Sequence, residues 1–243
     1  MSYPTLSFQQ LLHSFARDVG RRPAALTADE EAQFAHRLSD AVDWAWHYLT
    51  DWSLPEQLEG ATITLGAEGV IATEDLDYSR VWSIWSEDPR TKETEVTRLK
   101  GVEQTGGDVK VFGKAAGDTV YIIWRARAPE FTAEVFDATA SYDPDTLIWD
   151  KASDVPDVFR CIAEAGSNME PCSNADVWQA VRLPRIYQKA VHLQAVAEQA
   201  RLDDDKPARA QQMLTDADAE IQTVALRIRG DASAKPWLNN HNI

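Results

Sequence analysis

Val120-Tyr121-Ile122-Ile123-Trp124-Arg125-Ala126-Arg127 is the stretch on which the fold turns. β-branched and aromatic residues dominate it, and these suit a pleated, half-buried surface. Its first half is apolar at every position rather than at every second one, which predicts a strand buried on both faces. Upstream, Ala61-Thr62-Ile63-Thr64-Leu65 and Val81-Trp82-Ser83-Ile84-Trp85 are β-rich and alternating. Asp88-Pro89 signals a turn. Thr105-Gly106-Gly107-Asp108 signals another, between runs able to pair as a hairpin. Residues 61–136 are therefore expected to form an antiparallel sheet or small sandwich.

On either side of this region the period changes to that of a helix. Phe8, Leu11, Leu12, Phe15 and Val19 make one apolar stripe, and Gly20 is a plausible stop. Thr27 with Glu30 has the form of a capping box, and Asp29, Glu30 and Glu31 suit a first helical turn. Phe34, Leu38, Ala41, Val42, Ala45 and Leu49 trace a second helix, expected to end at Pro55. Near the other end, Pro184 fits a first helical position, followed by Ile186, Tyr187, Ala190, Val191, Ala195 and Ala197 on one face. Asp203-Asp204-Asp205 breaks the pattern. Pro207 opens a last helix carrying Met213, Leu214, Ala217, Ile221, Val224 and Ile228, with Gly230 as its stop.

Between the β region and these closing helices lies a short aromatic stretch. Tyr142-Asp143-Pro144-Asp145 is a turn. Leu147-Ile148-Trp149, Val158-Phe159-Arg160-Cys161-Ile162 and Val177-Trp178-Gln179-Ala180-Val181 read as three short strands. The whole predicts an α+β chain. Helical hairpins at residues 1–60 and 183–230 pack together, because each has a stripe to bury. An antiparallel β domain occupies 61–136, a small aromatic β module 137–182 and an extended tail 231–243.

The composition narrows the function. The chain has 243 residues, enough for one or two domains, and 44% are hydrophobic. Lys and Arg total 24 against 39 Asp and Glu, a formal net charge of −15. With no basic tract, the chain is poorly suited to gripping phosphate backbones or an anionic membrane surface. No apolar run reaches the roughly 18 residues of a membrane span. Met1-Ser2-Tyr3-Pro4 lacks the basic and apolar regions of a signal peptide, so reduced thiols are expected at Cys161 and Cys172. Two cysteines are too few for a disulfide scaffold or a cysteine-based zinc site.

The search for chemistry returns no catalytic residue, no metal site and no cofactor site. The five histidines form no HExxH or HxH pattern. Asp43 and His47 stand one helical turn apart and read as a surface pair. Glu74-Asp75-Leu76-Asp77 reads as a solvated acidic loop rather than a calcium loop. Cys161 lies inside an apolar strand and reads as a buried, inert thiol. The chain is not expected to be an enzyme.

The order of segments resembles the adaptor, or head-to-tail connector, proteins of tailed bacteriophages. Thr5 to Leu12 with Thr27 to Trp52 resemble their opening helix pair. Val81 to Arg90, and Val120 to Arg127 with Ala128-Pro129-Glu130-Phe131-Thr132, resemble recurring strand-and-turn segments. Leu183-Pro184 and Lys206-Pro207-Ala208-Arg209-Ala210 resemble the start of their closing helices. Residues 142–181 also resemble a small β module of chitin-binding type, through Tyr142, Leu147, Phe159-Arg160-Cys161, Pro171 and Trp178. Position 145 is Asp where that module usually has Gly, so a different first turn is expected.

The first resemblance implies a structural virion protein, made in the host cytoplasm and placed in the neck below the portal. Its partners would be the portal protein, neighbouring copies of itself in a ring of about twelve, and a downstream neck or tail protein. DNA would pass through without specific binding, past an acidic wall that repels it. Pro236, Trp237, Leu238 and Ile243 would form a tail that docks on the portal or on neighbouring adaptors. The alternatives are a tail-completion protein, or an accessory protein binding cell-surface carbohydrate through residues 142–181. In that case Trp149 is the spare aromatic, with Tyr142 and Trp178 as further contacts.

Overall fold

The computed structural model describes residues 4–48, 58–71, 78–90, 96–105, 108–153, 156–202 and 207–232. It has both helices and largely antiparallel sheets, so the chain is α+β. Among the described residues, no helix is long and apolar enough to cross a membrane. Among the described residues two compact units are present, one formed by those within 4–48 and 128–224 and one by those within 58–127 and 225–232.

The first unit opens with strand β1 (Thr5–Leu6) and helix α1 (Phe8–Asp18). Ser7 caps α1: its hydroxyl accepts from the Gln10 N–H at 3.3 Å, and the Gln10 side chain accepts from the Ser7 N–H at 3.1 Å. Phe8, Leu11, Leu12, Phe15 and Ala16 are its buried face. Two backbone bonds close its end, from Gly20 N–H to Arg17 O (2.9 Å) and from Arg21 N–H to Ala16 O (2.7 Å). They require Gly20 at φ +79°, and a Cβ there would meet nothing within 4 Å. Gly20→Ala is therefore expected to cost about 1 kcal/mol through backbone conformation alone. A thermal-unfolding comparison checks this.

Helix α2 (Ala28–Tyr48) starts on the expected box. The Thr27 hydroxyl accepts from the Glu30 N–H at 3.2 Å, and the Glu30 carboxylate accepts from the Thr27 N–H at 3.0 Å. That backbone bond holds the Glu30 carboxyl below its ordinary pKa. The expected stop at Pro55, like the acidic run Glu74 to Asp77, lies outside the described residues. Phe15 of α1 meets Phe34 of α2 edge-to-face at 4.9 Å.

The start of the third helix differs from the sequence reading. Leu183–Pro184 is strand β12, paired antiparallel with β1, so that Thr5 faces Pro184 and Leu6 faces Leu183. Pro184 has extended backbone (ψ 129°), and the next N–H, on Arg185, donates to Pro4 O at 2.8 Å. A 3-10 turn follows, and helix α3 (Gln188–Leu202) begins only at Gln188. Its buried positions include Ala190, Ala195, Ala197 and Ala200. Side chains this small let α3 approach α1 and α2 closely, and the three helices pack on one another. Helix α4 (Pro207–Ala232) opens at Pro207 as expected and runs two residues past the expected stop at Gly230. It buries Ala210, Ala217, Ile221 and Val224, and Glu220 pairs with Lys189 of α3 at 2.6 Å.

His192 of α3 is buried, with Nδ1 3.3 Å from Asp18 Oδ2 and 3.4 Å from the Ser14 hydroxyl of α1. Burial lowers its pKa from the ordinary 6.5, against the opposing pull of Asp18. The unfolded chain therefore takes up a proton at a pH where the folded chain resists it. Stability should fall as pH drops through 6.5 and level off below the folded value. Urea midpoints at a series of pH values check this, and His192→Gln should flatten the profile.

In the second unit, strand β7 (Thr119–Ala126) lies between β2 (Leu58–Thr64) and β4 (Tyr78–Trp85), both antiparallel to it. The central position explains its unbroken apolar run: Val120, Tyr121, Ile122, Ile123 and Trp124 are all buried. A second sheet has the order β3 (Val70–Ile71), β6 (Asp108–Val111), β5 (Val102–Thr105). β5 and β6 pair antiparallel with Thr105 opposite Asp108, as expected of the two runs, and Gly106-Gly107 lie outside the described residues. Leu65, Ile71, Val81, Ile84, Val109, Val111, Val120 and Ile122 make one core between the sheets.

Candidate functional site

The aromatic stretch folds as a four-stranded sheet in the order β11 (Trp178–Ala180), β10 (Asp157–Cys161), β9 (Leu147–Asp150), β8 (Glu134–Val135). β8 runs parallel to β9 and the other pairs are antiparallel. Through β8 the sheet draws in residues that the sequence reading left in the 61–136 domain. It also belongs to the first compact unit, together with α1, α2 and α3, rather than standing as a module apart.

Tyr142, Ile148, Phe159, Cys161, Ala165 and Trp178 are its core. Tyr142 and Trp178 meet edge-to-face at 5.5 Å. Their polar ends are also spent inside: the Tyr142 hydroxyl donates to Asp137 O and accepts from its N–H, and the Trp178 indole donates to Met169 O. Asp145 adopts φ +70° and donates its N–H to Cys161 O at 2.8 Å. Asp is one of the few side chains that tolerate this left-handed region, so it stands in for glycine.

Trp149 is not the spare aromatic that the sequence suggested. It is 7% exposed and packs edge-on against Phe8 of α1, ring centres 5.0 Å apart. Lys151 Nζ sits over the same ring at 3.9 Å and also pairs with Glu31 of α2. β9 places Ile148 and Trp149 on opposite faces, so Ile148 faces the module core and the Trp149 ring faces Phe8 of α1. With Tyr142 at 9% and Trp178 at 3% exposure, none of the three candidate rings offers a sugar a stacking face. The carbohydrate-binding alternative loses its proposed residues.

The structure brings forward two acids that the sequence reading passed over. Asp157, at the start of β10, is fully buried. Its Oδ1 accepts from the N–H of Phe8 at 2.9 Å and of Val158 at 3.0 Å, and its Oδ2 accepts from Arg182 Nε at 3.2 Å. Phe8 is the first residue of α1, so Asp157 supplies from another element the partner that this helix-end donor lacks. Burial raises the Asp157 pKa, opposed by these three donors. Nothing local in the sequence distinguishes this residue, since its partner on α1 is 149 residues away.

Asp150 ends β9. Its Oδ1 accepts from the N–H groups of Ala152 (3.1 Å) and Ser153 (3.2 Å), and its Oδ2 from the Cys172 thiol (3.2 Å). Together with Phe136, Ser153 and Glu170 they wall an open cavity of about 650 Å³. Although Cys172 is exposed, partial desolvation and the neighbouring carboxylate push its thiol up from its ordinary pKa. Cys161 is raised by burial too, and its thiol donates to Ala163 O. Both cysteines are free. Among the described residues, no three His, Cys, Asp or Glu side chains converge on a metal position. Asp43 and His47 form the expected exposed pair at 3.1 Å.

Pro236, Trp237, Leu238 and Ile243 lie outside the described residues. No family model matches this chain, and no curated protein matches it either.

Proposed function

We propose that this chain is a structural virion protein, a subunit of an adaptor ring that links a portal to the neck or tail and extends the DNA channel. One observation carries the reading. The opening helices α1 and α2 and the closing helix α3 pack on one another, although every strand from β2 to β12 lies between them in the chain. This is the arrangement expected from the apolar stripes of the opening and closing helices, and the order of these segments resembles that of head-to-tail connectors. The net charge of −15 agrees with a channel wall that lets DNA slide past. Portal protein, neighbouring copies and a downstream neck or tail protein are the partners, and the virion neck is the location.

Quantitative mass spectrometry of purified particles, with localisation by electron microscopy, tests this. A ring of about twelve copies beneath the portal is the expected result; absence from particles overturns it. The tail makes a second test. Deleting residues 233–243 is expected to abolish attachment to the portal while leaving the circular-dichroism spectrum of the folded chain. Unchanged attachment would remove Trp237 and Leu238 as the anchor.

A further inference from the structure

We draw no further inference here: the strongest candidate, the open cavity at the end of β9 walled by Phe136, Asp150, Ser153, Glu170 and Cys172, belongs to the site already described and offers only two acids and a lone cysteine, with no second observation that points to a ligand.

Discussion

Phe8→Ala is expected to lower the stability of the first unit by about 4 kcal/mol. The side chain is fully buried. It stacks on Phe131 with ring centres 5.1 Å apart and an interplanar angle of 18°, and it meets Trp149 edge-on at 80°. Truncation removes a large buried apolar side chain and leaves a cavity, and each ring pair adds roughly 0.5–1.5 kcal/mol beyond its area. The position is the meeting point of α1, the segment before β8, and β9, so collapse of the cavity would require all three to shift. Urea unfolding followed by far-ultraviolet circular dichroism measures the loss. Phe8→Leu, which keeps most of the volume, should lose clearly less. Equal losses in the two variants would show that the ring contacts with Phe131 and Trp149 rather than buried volume govern the site.

Asp157→Ala is expected to cost about 3 kcal/mol at pH 7. The change strands the Phe8 and Val158 N–H groups, and each unpaired buried donor costs roughly 1–3 kcal/mol. Removal of a buried carboxylate offsets part of this, because the fold holds that group above its ordinary pKa. The sign of the pH dependence follows. A carboxyl raised in the folded state contributes stability below its unfolded value of 3.8 and loses it as pH rises through the folded value. The penalty of the alanine variant should therefore be larger in acid than at neutral pH. Hydrogen exchange at the Phe8 and Val158 amides gives the local readout. Protection at Phe8 that survives the substitution would mean that Asp157 does not hold the start of α1.

Elements built from neighbours in the chain were legible in the sequence. The Thr27–Glu30 box, the Gly20 stop, the β5–β6 pairing and the doubly buried β7 each depend on a few adjacent residues, and each is found. What was not legible depends on distant partners. Pro184 has the local chemistry of a helix start, yet pairing with Thr5 makes it a strand. Trp149 has the sequence context of an exposed strand residue, yet Phe8 covers it. Asp145 takes up a left-handed backbone (φ +70°) that nothing in its own sequence context announces. The buried acids Asp150 and Asp157 differ in no visible way from the rest of the 39 acids of the chain until the fold places backbone donors around them. β8 is illegible for the same reason: it is only two residues long and is recognisable solely by its pairing with β9.

The bond from Asp157 to the first residue of α1 has a consequence for synthesis. The two groups are 149 residues apart, so the helix emerges from the ribosome long before the carboxylate that completes its start. At roughly 5–20 residues per second the delay is on the order of ten to thirty seconds. Through that interval Phe8 has neither Asp157 nor Trp149, and the opening helix pair exposes an aromatic face. Moving the first residues behind β10 by circular permutation should speed folding by shortening this loop, with little change in the final stability.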